Sequence, residues 1–578
     1  MSHPLFRTKK IDKILHDAKT MADDHHGGAG LKRVLTMRDL TFFGIAAIIG
    51  AGSFSSLGMA VFSGGPGVVV LFIICGIACG FTALCYSEFA SRIPVAGSAY
   101  TYAYASFGEL FAWIIGWALI MEYSIGNIYV AFSWSDYFTS FLHKINIHIP
   151  DYLTCSYREA HNIAIATANN PGQATGSTKE LLNAWNTAPV IAGLRIIFDL
   201  PAIIINLLIT CLVYRGIKES RNFSNAMVVL KLSIVLLVIM VGGYMIFHDD
   251  LTANWHPVNS EGVHAFMPNG FSGVMAAVSG VFFAYIGFDA VSVLAEESKN
   301  PQRDLPRGMI LSLIICTTIY IVLALVLTGT VVYSKFENVG DPLAYIFEPQ
   351  NLNIGWMQML VAICAVIAMT SVLLVFQMGQ PRIWMSMSRD GLLPPVFQKI
   401  HPKYKTPSFA TILTGVAVGA PILFTDKDFV LDFTSIATLF AFVLVCGGVL
   451  LIPVKEKLPG KFNMPYINSK ILFPLIVAAA IIIAHFAADN YFTQLFNITE
   501  DNASFNISSI VFWCIMIVLA IVSFFKNWSL IPLLGLSTCM YLLTGMTGMN
   551  WAWFGGWLAI GLIIYFSYGY RKSRLAAA

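Results

Sequence analysis

What most constrains this 578-residue chain is the recurrence of apolar runs about 18 residues long or longer, separated by short polar connectors. Wound as an α-helix, such a run spans the hydrocarbon of a bilayer and satisfies its own backbone hydrogen bonds there. Fourteen runs are readable, at 38–63, 67–91, 107–141, 196–214, 223–247, 270–295, 309–334, 356–386, 407–425, 429–453, 470–489, 508–525, 529–548 and 551–570. Composition agrees: 57% of residues are hydrophobic and 12% are charged, about half the charged share of a globular domain. The expected fold class is therefore all-α integral membrane.

Lys and Arg alternate between connectors, and that alternation sets orientation. With the N-terminus inside, the inner connectors carry Arg215, Lys218 and Arg221; Lys299, Arg303 and Arg307; Arg389, Lys399, Lys403 and Lys405; and Lys455, Lys457, Lys461 and Lys470, and the C-terminus carries Arg571, Lys572 and Arg574. The short outer connectors carry only Lys335 and Lys427. The expectation is a multi-pass protein of the cell membrane with both termini cytoplasmic. No cleavable signal peptide is expected, because the first 36 residues are polar. The chain divides into a tail at 1–37, a core of ten helices at 38–453, four appended helices at 454–570 and a tail at 571–578. Two outer segments are long. Residues 143–195 are polar and expected to be partly helical, and residues 490–507 hold Asn-x-Ser/Thr sequons at Asn497, Asn502 and Asn506.

Several function classes fall away. The net charge of +3 is small and dispersed, which argues against a nucleic-acid partner. The ten cysteines are scattered without a CxxC pair, so neither a structural disulfide nor a metal site is expected. No P-loop, HExxH or reactive triad is present, so no cofactor is expected and an enzyme is disfavoured.

Within this regular pattern, two places break the rule for a spanning helix. In the first run, Gly50 and Gly52 flank Ala51 at mid-membrane depth. Glycine in a helix interior costs about 1 kcal/mol against alanine, and backbone freed in lipid must find other partners. In the sixth run, Gly287 sits mid-span in Phe282-Phe-Ala-Tyr-Ile-Gly-Phe-Asp289. Breaks in the first and sixth helices are the pattern of two five-helix repeats, inverted because five is odd, with a substrate site at the breaks. The amides around Gly50, Ala51, Gly52 and Ser53 suit a carboxylate. Unwound carbonyls at Phe283, Ala284 and Ile286 suit an ammonium. The two together fit an α-amino acid.

Charges inside the runs are the other exception. Lys231 lies in the fifth run, where a lysine costs about 2.5–3.5 kcal/mol near the bilayer centre. It reads as a buried ammonium that gains and loses a proton during a transport cycle. Glu122 lies deep in the third run, with a structural role as open as a gating or proton-relay role. Glu88 is placed to pair with Arg92 at i,i+4. Asp289 follows the sixth-run break as an inner-gate or helix-cap residue. Glu296 opens a charged connector running to Arg307.

At these residues the chain resembles the cationic amino acid transporter family of the amino acid–polyamine–organocation superfamily. The resemblance rests on Gly50-Ala-Gly-Ser-Phe54, Tyr86-Ser-Glu-Phe-Ala-Ser-Arg-Ile-Pro-Val-Ala-Gly-Ser-Ala-Tyr100, Gly216-Ile-Lys-Glu-Ser220, Phe282-Phe-Ala-Tyr-Ile-Gly-Phe-Asp-Ala-Val291, Gly379-Gln-Pro-Arg382 and Ile436-Ala-Thr-Leu-Phe-Ala-Phe442. It implies a LeuT-like 5+5 inverted repeat with discontinuous helices 1 and 6. It also implies a carboxylate site at the amides of Ala51, Gly52 and Ser53, and an ammonium site at the carbonyls of Ile48, Phe283 and Ile286. By the same resemblance Lys231 stands where sodium-coupled relatives hold sodium, near the carbonyls of Ala46 and Ile49 and the hydroxyls of Thr370 or Ser371, and Glu122 is the family's third-helix glutamate. The chain departs from the family at Ser53, usually Ile, and at Trp117-Ala118, where relatives often carry Asp. Met369 is a candidate pocket wall. The expected function is proton-coupled symport of L-amino acids, cationic or small neutral, with lipid as the surrounding medium. The alternatives are a proton-independent amino acid or polyamine exchanger, and an amino acid sensor that transports little.

Overall fold

The computed structural model describes residues 7–9, 35–93, 98–169, 177–191, 193–216, 221–259, 262–295, 298–404, 406–451, 462–487, 491–498 and 503–574. Glu296, the sequon at Asn502, the connector residues Lys218, Lys405, Lys455, Lys457 and Lys461, and most of the N-terminal tail lie outside the described residues.

The helices are α1 Met37–Ile48, α2 Leu57–Gly64, α3 Val68–Arg92, α4 Ser98–Ser106, α5 Glu109–Lys144, α6 Tyr157–Asn169, α7 Ser177–Thr187, α8 Leu200–Arg215, α9 Arg221–His248, α10 Gly270–Ala276, α11 Val278–Phe283, α12 Pro301–Thr330, α13 Gly355–Arg389, α14 Ser408–Ile422, α15 Lys427–Leu451, α16 Ser469–Ala487, α17 Ala503–Phe525, α18 Leu530–Thr544 and α19 Gly548–Ile564. Among the described residues, nine helical stretches are long and apolar enough to cross a membrane, or ten if α10 and its continuation, bent by 43°, are one span. The chain is an all-helical, multi-span membrane protein.

Three of the apolar runs form helices of only 15 or 16 residues, namely α8, α14 and α18. For α8 the cause is local. Asp199 caps the start by accepting from Ala202 N, Pro201 follows in the first turn, and Gly216 ends the helix in a left-handed conformation. The run therefore begins four residues before its helix does. The expected helical content of residues 143–195 is met by α6 and α7, and a two-stranded hairpin pairs Val190 with Arg195. Of the sequons, Asn506 lies in α17 at 5% exposure, its amide donating to the carbonyls of Gln494 and Asn497. That burial removes it as a glycan acceptor.

Packing sorts the helices into two sets. One holds α1–α3 with α10–α12, and the other holds α5, α8, α13 and α14. Helix α9 lies across α12, α1 and α13, while α15 lies across α3, α5 and α11. The last helices are built into this body: α18 packs on α15 and α3, and α19 on α15 and α5. Trp113 and Trp117 of α5 donate their indole N–H groups to the carbonyls of Gly561 and Trp557, and Trp117 stacks on Trp557 at 4.7 Å. On the face that carries the termini, the Glu109 carboxylate accepts from Tyr104, Tyr565 and Ser573, pinning the chain's end to the start of α5. Glu88 pairs with Arg92 at 2.5 Å and also accepts from Met464 N.

Candidate functional site

The first spanning segment is broken where the glycines stand. Helix α1 stops at Ile48, Ile49 turns to φ −77°, ψ 90°, and the helix resumes through a wide turn at Gly52–Ser56. A helix end leaves its last carbonyls without intrahelical donors. Here they find side chains. The Lys231 ammonium of α9, 1% exposed, donates to Ala46 O at 3.2 Å. The Tyr320 hydroxyl of α12 donates to Ile48 O at 2.8 Å. A cation at a helix C-terminus also meets the negative end of its dipole.

The resumed helix starts by folding back on itself. The amides of Ser53 and Phe54 both donate to Gly50 O at 3.1 Å, and Ser53 Oγ donates to the same carbonyl at 3.0 Å. The Ser53 hydroxyl thus closes the turn. Helix geometry leaves the amides ahead of it, those of Ala51 and Gly52, without an acceptor in the resumed helix.

The sixth segment breaks opposite. After α11 the chain turns at Ala284–Gly287, with Gly287 at φ +114°, and continues as a 3-10 turn from Phe288. A left-handed φ of that size favours glycine. The two breaks touch: a Cβ at Gly287 would lie 2.9 Å from Ala47 O, and one at Gly52 would lie 2.4 Å from Ala284 Cα. Ser56 Oγ donates to Gly280 O at 2.8 Å and fastens them further. Asp289, 2% exposed, follows Gly287 in this turn, and Ala290 N donates to Gly287 O at 3.1 Å.

Between the breaks lies a narrow cavity, with room for about one water molecule in this closed arrangement. Ala47, Ile48, Ala51 and Gly52 of the first segment and Phe283 and Ile286 of the sixth line one side. Val130 of α5 and Val372 and Phe376 of α13 line the other. The cavity therefore sits on the boundary between the two packed sets, and no charged side chain lines it.

Of the residues singled out in the sequence, Ile48, Ala51, Gly52, Phe283 and Ile286 meet at this cavity. Ala46 and Lys231 meet directly behind it, and Ile49 is fully buried at the break. Gly50, Ser53 and Ala284 support the turns without lining the space. Thr370 bonds to Val366 O and accepts from Trp134, and Ser371 bonds to Ala368 O. Glu122, 3% exposed, does not line the cavity. Met369 is buried away from it, and Trp117 turns to α19. Val130, Val372 and Phe376 were not legible beforehand. Each is an apolar residue in an apolar helix, where nothing in the sequence marks which face looks inward.

A two-set helical body with broken helices and a membrane-buried, backbone-lined cavity defines a transporter. The chain belongs to the amino acid permease family, whose model matches residues 35–519; a second model, the C-terminus of AA_permease, matches residues 530–573. The branched-chain amino acid permease BcaP of Bacillus subtilis (strain 168) is 40% identical over 466 residues, 80% of this chain and 89% of the relative. The methylthioribose transporter of the same organism is 34% identical over 575 residues, 99% of both chains. Human cationic amino acid transporter 4 is 31% identical over 431 residues, 74% of this chain and 61% of the relative. The chain is thus an amino acid transporter of a family that also holds the cationic amino acid transporters, and not an enzyme.

Proposed function

We propose that the chain imports L-amino acids with uncharged, apolar side chains in symport with protons, and that Lys231 carries the proton. The observation behind the substrate class is the cavity wall. The amides of Ala51 and Gly52 present donors for an α-carboxylate, and the turn at Ala284–Ile286, past a Phe283 carbonyl that already accepts from Ile286 N, offers carbonyls for the ammonium. The side chain is left to face Val130, Val372 and Phe376. A cationic side chain would need an acidic partner there, and Glu122 lies elsewhere. The relative named for branched-chain amino acids fits this wall better than those named for cationic ones.

Coupling follows from what Lys231 holds. Charged, it satisfies a carbonyl that the break in α1 orphans; neutral, it gives up the charge–dipole part of that hold. Protonation thereby biases the position of α1, which also carries the cavity wall. The architecture that goes with this reading is a LeuT-like 5+5 inverted repeat of fourteen spans; the packing of α1–α3 with α10–α12 and of α5 and α8 with α13 and α14 supports it. The Lys and Arg pattern supports cytoplasmic termini, and the cell membrane is the proposed location.

A second reading comes from the methylthioribose transporter, which is alike along its whole length. Competition for uptake in proteoliposomes separates the two. Leucine, isoleucine and valine should displace the transported label, with arginine and methylthioribose ineffective. Displacement by methylthioribose alone would favour the second reading.

A further inference from the structure

On the face opposite the termini, one ammonium joins three structural elements directly above the cavity. Lys427, the first residue of α15, is hydrogen-bonded to the Asp136 carboxylate of α5 and donates to Gly340 O at 3.4 Å. Its side chain is 13% exposed. The same Gly340 carbonyl accepts from Ser55 Oγ of the resumed first segment at 3.1 Å. Lys427 also stands 5.7 Å above the ring of Tyr129 on α5, and that ring lies 4.5 Å from the ring of Phe283, which lines the cavity. Tyr129 OH reaches Ser55 Oγ at 3.4 Å, and Tyr137 OH donates to Phe54 O at 2.5 Å.

These contacts divide by the packed set they belong to. Asp136, Tyr129 and Tyr137 stand on α5. Ser55, Phe54 and Phe283 belong to the set containing α1–α3 and α10–α12, and Gly340 lies in the connector that leaves α12. Lys427 bonds to both sides at once. Opening the cavity on this face means parting the two sets, and that separates Lys427 from Gly340 O and Tyr129 from Phe283. A cation shared between a carboxylate, a carbonyl and an aromatic face is held by charge-assisted contacts that no neutral side chain reproduces.

We propose that Lys427 is the residue that locks the cavity shut on the face opposite the termini, with Asp136 as its anchor and the Tyr129–Phe283 pair as the roof it holds down. The proposal rests on the reading of the cavity as a transport site, but it concerns closure and not substrate identity. Removing the lock shifts the closed–open balance of this face toward open, whichever substrate the cavity takes.

The test reads accessibility. A cysteine placed at Val130, in purified full-length protein reconstituted in liposomes, is modified by a membrane-impermeant methanethiosulfonate added from the side opposite the termini. The background is the same protein without that cysteine. Lys427→Met and Asp136→Asn should each raise the modification rate about tenfold or more, since a shift of this size needs only a modest change in the closed–open equilibrium. Lys427→Arg should keep the slow rate, and the exchange Lys427→Asp with Asp136→Lys should restore it. An unchanged rate in both single variants overturns the proposal, as does fast modification in the charge-exchanged protein. The labelling requires no substrate, so if leucine competition fails while the rates behave as expected, the substrate reading falls and the lock stands.

Discussion

At Gly52 and Gly287 the two breaks come closer together than side chains allow. A Cβ on Gly52 would sit 2.4 Å from Ala284 Cα, well inside the carbon–carbon optimum of about 3.5–4.0 Å. Gly52→Val must therefore push α11 off the resumed helix and cover the Ala51 and Gly52 amides. Uptake should be lost while the protein still reaches the membrane, as uptake and surface labelling on the same cells will show. Gly287→Ala forces an alanine to φ +114° against Ala47 O, a strain of roughly 1–3 kcal/mol, and it should lower the melting temperature in detergent. In the proposed site Val372 faces the substrate side chain, and Val372→Ala widens that wall. The KM for isoleucine relative to a larger apolar amino acid should shift by about tenfold, measured from paired uptake curves. The glycines and Lys231 were legible because each breaks a rule of its surroundings. Ser53 was legible as a departure from the family, but only the geometry shows its hydroxyl turned back to Gly50 O.

Among the elements, the apolar runs located the helices well because length in lipid is a hard constraint. Their ends were less legible. Asp199 trims the start of α8 through a capping contact that hydropathy does not register, and a wide turn at Gly52–Ser56 replaces a simple gap in the first segment. The role of α19 was the least visible. In the sequence it is the last of four appended helices, whereas in the fold it covers Trp113 and Trp117 and helps pin the chain's end at Glu109. Tryptophan in an apolar helix reads as lipid-facing or buried with equal ease, so the docking partner had to come from tertiary structure. Trp117→Ala should destabilise the purified protein by about 3–5 kcal/mol, the usual cost of such a truncation in a packed core, with thermal unfolding of monodisperse protein as the measurement. A melting temperature at the wild-type value would mean that α19 is a passive neighbour.

For the whole molecule, the two packed sets and the cavity on their boundary make relative motion of the sets the natural transport step, with backbone from one set and apolar side chains from the other forming the site. In the proposed proton coupling, Lys231 is the link to that motion because it reaches across from α9 to the end of α1. The most direct measurement is leucine accumulation in proteoliposomes driven only by an imposed inward proton gradient, comparing the wild type with Lys231→Ala. The account predicts that the wild type concentrates leucine above equilibrium and loses this when the gradient is collapsed, while Lys231→Ala equilibrates leucine without concentrating it at any gradient. Gradient-driven accumulation by Lys231→Ala equal to that of the wild type would contradict it.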